Sequence, residues 1–172
     1  MGRYAHDNYD GIIQSDPADG DLLIIEDVTS KNNIRLGMIV QASDITVKDS
    51  VFISNEDGIA IQGGEVTFEG TVSSHGNIKN GITLRGDYYA EVTVKGTLNT
   101  YLNGNGIVVG EKIDMDFTVS DRGSFNSCEN TGKDIFNIGN VDVVNDGTIT
   151  CDSRGGASIA DFPDCVDCPA CD

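Results

Sequence analysis

The segment EVTFEGTV, residues 65–72, returns almost unchanged as EVTVKGTL at residues 91–98. An earlier copy, DITVKDSV, occupies residues 44–51, and looser copies begin at Asp116 and Val141. A second motif, a glycine followed by Ile or Met, accompanies the first and begins at Gly11, Gly37, Gly58, Gly81 and Gly106. A period of about 20 to 50 residues is typical of a solenoid, in which each unit buries its apolar face against the next unit.

Each copy alternates apolar and polar residues, which is the pattern of a β-strand with one buried face. Asn-Gly and Asp-Gly pairs lie between the strands and favour turns, because these residues tolerate positive φ. The sequence therefore predicts an all-β parallel solenoid of about seven coils of roughly 21–28 residues each. One solenoid domain is expected over residues 1–160, with a Cys-rich tail at residues 161–172. An antiparallel β-sandwich is the alternative, since short strands at regular spacing predict that fold as well.

Stacked coils place equivalent residues in columns, about 4.8 Å apart. Two apolar columns are predicted to form the core, Ile45, Val66, Val92 and Phe117 in one and Val51, Val72, Leu98, Phe125 and Ile149 in the other. Two further columns are predicted to face outward, a threonine ladder of Thr46, Thr67, Thr93 and Thr118 and an acidic column of Asp44, Glu65, Glu91 and Asp116.

The acidic column suggests a calcium ladder. Carboxylates about 4.8 Å apart repel one another by roughly 1 kcal/mol per pair in water, and calcium prefers oxygen ligands of this kind. The acidic loops DNYDG, residues 7–11, and SDPADGD, residues 15–21, are further candidates. The alternative is a solvated acidic surface that keeps the protein in solution, with no cofactor. The threonine ladder raises an ice-binding hypothesis. Two features weaken this hypothesis, because charged residues flank the ladder and Thr is common in strands in any case.

Composition excludes some partners. The chain has 28 acidic and 11 basic residues and a net charge of −17, which argues against nucleic acid and anionic membranes. No apolar run approaches the roughly 18 to 20 residues of a membrane span.

The five cysteines all lie in the C-terminal part of the chain: Cys128, Cys151, Cys165, Cys168 and Cys171. Cys128 and Cys151 fall near equivalent points of adjacent coils, so a disulfide between them is predicted to staple the last coils. The other three form a Cys-x-x-Cys-x-x-Cys tail, for which cross-linking disulfides in an oxidising compartment are the simpler interpretation. Zinc or iron–sulfur ligation is the alternative, although a fourth ligand is missing.

Each coil has an acidic residue, an apolar residue, Thr, another apolar residue and then Gly or Asp, and Gly-Ile follows. Over residues 11–159 this pattern resembles the right-handed parallel β-helix superfamily of pectate-lyase-like proteins. The resemblance implies right-handed coils and leaves function open. The superfamily's hydrolases carry clustered aspartates with Gly-His-Gly and Arg-x-Lys motifs, to which only Ser74-His75-Gly76 and Arg85 come near. Its lyases need a basic residue beside a calcium cluster, and the available cations are isolated: Lys48, Lys79, Arg85 and Lys95. The sequence favours a structural protein over an enzyme.

Neither terminus shows an amphipathic helix that would cap a solenoid, and an uncapped rod invites end-to-end stacking. We therefore expect an extracellular or cell-surface protein that self-associates end to end in a filament, appendage or adhesin shaft. A trimeric virion spike is a third form of this structural hypothesis. The alternative function is a carbohydrate-binding or polysaccharide-cleaving module.

Overall fold

A computed structural model describes residues 3–15, 23–41, 44–86, 89–152 and 154–155. Within these ranges the chain runs around three sheets, and each coil adds one strand to each sheet. Short alternating segments separated by Gly, Asn and Asp turns fold in this way because every strand can bury one face only against neighbouring coils.

The strands fall into three sets. Sheet A consists of β1 (Arg3–His6), β4 (Val28–Lys31), β7 (Val51–Ile53), β10 (Thr71–His75), β13 (Thr97–Tyr101), β16 (Ser124–Cys128) and β19 (Thr148–Cys151). Sheet B consists of β2 (Ile12–Ser15), β5 (Leu36–Gln41), β8 (Asp57–Gln62), β11 (Asn80–Leu84), β14 (Asn105–Val109), β17 (Ile135–Asn137) and β20 (Arg154–Gly155). Sheet C consists of β3 (Leu23–Glu26), β6 (Ile45–Lys48), β9 (Gly64–Glu69), β12 (Ala90–Val94), β15 (Asp114–Val119) and β18 (Asn140–Asn145).

All strand pairings in the described ranges are parallel, and each joins a strand to its equivalent one coil away. The predicted all-β parallel solenoid is thereby confirmed, and the antiparallel sandwich is excluded. Sheets A and B have seven strands and sheet C has six, so the described strands make six complete coils and part of another. The coil count therefore differs slightly from the predicted seven.

The main core consists of apolar columns inside the three sheets, and Leu36, Ile39 and Ala60 form a second, smaller buried cluster. The first predicted column is confirmed, because Val66 pairs with Ile45 and Val92, and Val92 pairs with Phe117. All four side chains are at most 1% exposed. Phe117 also packs edge-on against Phe125 of the next sheet, with ring centroids 5.5 Å apart.

The second column is confirmed except at Val51, whose placement was wrong. Val51 pairs with Ser73 rather than Val72, so the inward position in that coil belongs to the fully buried Ser50. The reason is the corner after Lys48, which is one residue shorter than the corner of the next coil. A shift of one residue along a strand moves every side chain to the opposite face.

A buried asparagine ladder runs along the corner between sheets A and B. Its members are the buried Asn33, Asn55, Asn77 and Asn103 and the partly buried Asn130. The backbone N–H of each of the first four donates to the side-chain carbonyl of the next asparagine, as from Asn55 to Asn77 at 2.9 Å and from Asn77 to Asn103 at 3.0 Å. Burial makes these bonds necessary, since an unpaired polar group in the interior is costly.

Asp134 occupies the last rung of the asparagine ladder. The side chain of Asn130 donates to Asp134 Oδ1 at 2.7 Å, and the Asp152 N–H donates to Asp134 Oδ2 at 2.8 Å. Asp134 is 1% exposed. Its carboxylate can accept at both oxygens, so it satisfies donors from two coils at once.

The recurrent glycine of the second motif has a steric cause. A Cβ atom on Gly58 would lie 1.8 Å from Ser74 Oγ and 2.6 Å from the carbonyl oxygen of Gly81. The glycines therefore mark the points where the asparagine ladder and the adjacent hydroxyl side chains approach the backbone of sheet B.

Candidate assembly end and binding faces

Among the described residues, nothing covers the outer side of the first coil at one end of the solenoid core. In the described ranges β1, β2 and β3 each pair on one side only, with β4, β5 and β6. A cavity of about 640 Å³ opens there, lined by Arg3, Tyr4, Ala5, Ile12, Leu23, Ile24, Ile25, Glu26, Asp27 and Val28. Ile12 and Leu23 pack against the core but are only partly buried.

Within the described ranges, this end combines strand edges that have no pairing strand with an exposed apolar surface. The outer edges of three strands present N–H and C=O groups in the spacing of a parallel sheet, and the cavity between them is largely apolar. A further coil of the same geometry would satisfy both, because β1, β2 and β3 are themselves satisfied in this way by the second coil.

The predicted acidic column is present on the outer face of sheet C. Glu91 pairs with Glu65 and Asp116, and Asp116 pairs with Asp142, a fifth member that the sequence reading missed. Asp44 precedes Ile45, the partner of Val66, and so lies beside Glu65. In the part of the chain that the structure describes, no three acidic, His or Cys side chains converge into a metal site. The calcium ladder stays a prediction.

One neutral donor reaches the acidic column. The hydroxyl of Tyr89 donates a hydrogen bond to Asp116 Oδ2. This bond, together with the negative charges of Asp116, Glu91 and Glu65, raises the pKa of Tyr89 to about 12, because it favours the protonated phenol.

A neighbouring column on the same face alternates in charge. Lys48 pairs with Glu26 on one side and Glu69 on the other, and its Nζ lies 2.6 Å from Glu26 Oε1. The hydrogen bond and charge of Glu26 raise the pKa of Lys48. Lys95 follows Val94, the partner of Phe68, and extends the alternation beyond Glu69.

A second alternating column lies at the corner between sheets A and B. Lys79 Nζ is 2.6 Å from Glu56 Oε1, and Arg35 Nε is 3.4 Å from Asp10 Oδ1. The guanidinium carbon of Arg35 also lies 5.0 Å from the centroid of the Tyr9 ring. Lys48 and Lys79 are therefore ion-pair partners and not the isolated cations that the sequence suggested.

The threonine ladder has the predicted alignment. Thr67 pairs with Thr46 and Thr93, and Thr93 pairs with Thr118. The same column continues into Ile24 at one end and Val144 at the other, which are 57% and 52% exposed. The hydroxyl row is thus four coils long and has an apolar residue beyond each end.

The outer face of sheet A is polar and, across its last four strands, free of Asp, Glu, Lys and Arg. Sequence reasoning did not identify this face. It carries hydroxyl and amide side chains in two aligned columns, Thr71, Thr97, Ser124 and Thr148 in one and Ser73, Asn99, Asn126 and Thr150 in the other. Side-chain hydrogen bonds link the second column, including Asn126 to Asn99 at 2.9 Å and Thr150 to Asn126 at 2.7 Å.

Two stacked rings border this neutral face. The rings of His75 and Tyr101 are nearly parallel, with centroids 4.6 Å apart. Burial lowers the pKa of His75 by disfavouring the charged imidazole. Ser74, the preceding residue, points inward and donates to the Gly81 carbonyl at 2.7 Å. Ser74 and His75 therefore lie on opposite faces of the strand.

The two cysteines of the predicted staple lie on adjacent strands. Cys151 pairs with Ser127, one residue before Cys128, and packs into the core. Cys128 Sγ lies 3.9 Å from the Thr150 hydroxyl. The disulfide between them stays a prediction. Cys165, Cys168 and Cys171 lie outside the described residues, as does most of the candidate calcium loop at residues 15–21.

Comparison with known proteins finds no family model, no curated protein and no solved structure that matches this sequence. Among the described residues, no helix has the length and apolar character needed to cross a membrane.

Proposed function

We propose that this chain is a structural β-helix protein of the right-handed, pectate-lyase-like type whose solenoids stack end to end. In this proposal it is the building block of an extracellular filament, surface appendage or adhesin shaft. The observation that carries the proposal is the first coil, where a largely apolar cavity of about 640 Å³ lies between three strands that, among the described residues, pair on one side only.

Burial of this end supports the proposal on energetic grounds. Apolar surface gains about 25 cal/mol for each Å² removed from water, and the strand edges gain the same ladder hydrogen bonds that join the coils within one chain. Because the surface that stacks differs from the surface that receives it, the contact is heterologous and generates an open filament. The predicted cysteine staple and tail would then lock neighbouring copies covalently in an oxidising compartment.

Negative-stain electron microscopy of the purified chain, with and without reductant and calcium, tests the proposal. Unbranched filaments are the expected result, and shorter filaments in reductant would assign a locking role to the cysteines. Discrete particles of single-solenoid length under all four conditions would contradict end-to-end stacking.

A matched pair of variants locates the contact. Ile12→Lys places a charge in the open end, whereas Ile13→Lys places it on the outer face of sheet B, where Ile13 is already 61% exposed. We expect filaments to be lost in the first variant and kept in the second. Equal filament lengths in the two would show that the first coil is not the contact.

The neutral face of sheet A supports carbohydrate binding as a second candidate function. Hydroxyl and amide groups at regular spacing can exchange hydrogen bonds with sugar hydroxyls, and the stacked His75 and Tyr101 rings offer an apolar surface for a sugar ring. A glycan-binding assay with Tyr101→Ala tests this role, with Tyr89→Ala, just before β12 of sheet C, as the control. Binding that survives Tyr101→Ala and Asn99→Ala unchanged would exclude this face.

A further inference from the structure

The neutral face of sheet A is accessible over three successive strands. Along β10 and β13 every second residue is exposed or half-buried and the residues between are buried, and β16 follows the same pattern as far as Asn126. The outward Cys128 and Thr150 beyond it are only 2% and 6% exposed. On the other side, the outward residues of β7 are the apolar Val51 and Ile53. The accessible polar surface therefore spans three coils.

Three parallel rows of side chains run along the solenoid axis on this surface. Two are the polar columns that begin at Thr71 and Ser73. The third consists of Ile53, His75 and Tyr101, which occupy equivalent positions of successive coils. Equivalent residues lie about 4.8 Å apart, so each row presents a group of one kind once per coil. The surface is polar along two rows and largely apolar along the third.

The amide side chains of the second row are held ready to donate outward. Asn126 Nδ2 donates to Asn99 Oδ1 at 2.9 Å, and Asn99 Nδ2 donates to the Ser73 hydroxyl at 3.5 Å. An amide nitrogen carries two N–H groups, and each of these bonds uses one of them. Because the amide is planar, the bond made by the first N–H fixes the direction of the second. Such donors lose little freedom when a ligand binds.

The absence of charge restricts the class of ligand. Strands β10, β13 and β16 contain no Asp, Glu, Lys or Arg, although the whole chain has a net charge of −17. An acidic polymer would be repelled by the protein and would meet no cation on these strands. A basic polymer would be attracted to the acidic column of sheet C instead. Burial lowers the pKa of His75, so its imidazole is neutral as well.

The three rows fit one class of uncharged ligand. A pyranose ring has hydroxyl groups around its edge and C–H groups on its faces, so it can bond to the polar rows and pack on the rings of the third row at once. In an extended, equatorially linked chain, each sugar unit advances by a distance close to the coil spacing. We infer that β10, β13 and β16 bind an uncharged linear polysaccharide that runs along the solenoid axis, with one sugar unit for each coil. This inference rests on the carbohydrate-binding function proposed above.

Isothermal titration of the full-length chain with four soluble polymers tests the inference. Three are uncharged, namely hydroxyethylcellulose, mixed-linkage β-glucan and galactomannan, and the fourth is the acidic polygalacturonate. We expect at least one uncharged polymer to bind, with the same Kd at low and high salt because salt does not screen an uncharged ligand. Binding of polygalacturonate alone would overturn the inference and leave carbohydrate binding standing. Binding of none of the four would contradict both.

Variants locate the site. Tyr101→Ala should weaken binding of the uncharged polymer about tenfold, because it removes one of the stacking rings. Thr97→Val should also weaken it, since the outward hydroxyl is lost while the side-chain shape is kept. Tyr89→Ala and Thr93→Val are the matched controls at sheet C and should leave the affinity unchanged, with wild-type melting curves for all four variants. An affinity that neither Tyr101→Ala nor Thr97→Val lowers would place the sugar elsewhere on the protein and overturn the inference.

Ligand length measures the extent of the site. Oligosaccharides of increasing length, prepared from the polymer that binds best, should gain affinity up to about three or four units, the number that spans three coils at the strand spacing. Longer oligosaccharides should then bind with the same affinity. An affinity that does not depend on length would show that the sugar chain does not lie along the three strands.

Discussion

The buried asparagine ladder and the exposed acidic column are built by the same operation and have opposite energetics. In both, like side chains stack once per coil. An amide both donates and accepts, so each asparagine satisfies the next one. A carboxylate only accepts, so each acid of the column repels its neighbours.

The difference shows what the repeat itself contributes. Stacking at strand spacing repeats the same side-chain interaction, attractive or repulsive, once per coil. The chain shows three arrangements of stacked side chains. Amides stack in the interior, opposite charges alternate from Glu26 through Lys48 to Glu69, and like charges stack only where water or a ligand can reach them. The outer face of sheet A, with hydroxyls and amides alone, avoids the conflict altogether.

Removing one rung of the asparagine ladder should have the largest effect. Asn77→Ala deletes side-chain bonds to Asn103, Ser74 and Phe52 and the acceptor of the Asn55 N–H. Because the groups left behind are buried, we expect a loss of about 3 kcal/mol in the free energy of unfolding. Urea denaturation measures it. Asn99→Ala on the outer face of sheet A is the control and should cost less than half as much, because water can replace its bonds.

The acidic column should respond in the opposite direction. Glu91→Gln removes a charge between Glu65 and Asp116 and should stabilise the fold by up to about 1 kcal/mol at low salt, with the gain shrinking as salt screens the column. Glu69→Gln is the matched control. It removes the negative charge between Lys48 and Lys95 and should be neutral or destabilising. Equal effects of the two changes on the free energy of unfolding would mean that the charges of the neighbouring residues in a column do not determine the effect.

Calcium binding provides a second test of the acidic column. If the predicted calcium ladder forms, calcium binds only the native column, and the melting temperature of the wild-type protein rises with its concentration. The Glu91→Gln variant should then respond less and should lose its advantage over wild type at saturating calcium. A wild-type melting temperature that does not move with calcium would remove the ladder and leave a solvated acidic face.

Much of this architecture could be predicted from the sequence because the alternation of apolar and polar residues is regular in the strands of sheet C. Alternation around Val66 and Val92 correctly placed the core, the threonine ladder and the acidic column. The misplacement of Val51 arose at a corner, where the Asp49 side chain accepts from the Thr71 N–H at 2.9 Å and a shorter turn shifts the register. Alternation within a strand carries no information about the length of the preceding turn.

The asparagine ladder and the neutral face were missed for a related reason. The buried asparagines follow one another at intervals of 22, 22, 26 and 27 residues, which match the coil lengths, but they look like ordinary turn residues in a linear sequence. Following each polar residue from coil to coil would have found them. The neutral face could be identified only once the strand register of sheet A was known, because its Thr, Ser and Asn residues have no distinctive spacing in the sequence.

The smallest effect should come from substitution of Thr100, whose hydroxyl differs in its bonding from the equivalent hydroxyls of neighbouring coils. In neighbouring coils Ser74 donates to the Gly81 carbonyl and Ser127 to the Asp134 carbonyl, at 2.7 and 2.6 Å. Thr100 occupies the same inward column, is fully buried, and its Oγ1 has no partner among the described residues. Thr100→Val replaces that hydroxyl with a methyl group of similar shape, so we expect it to stabilise the fold by up to about 1 kcal/mol. Ser74→Ala should instead cost about 1 kcal/mol. A loss in Thr100→Val as large as that in Ser74→Ala would show that the Thr100 hydroxyl is satisfied in solution, and that every rung of this column, like every rung of the asparagine ladder, is paired.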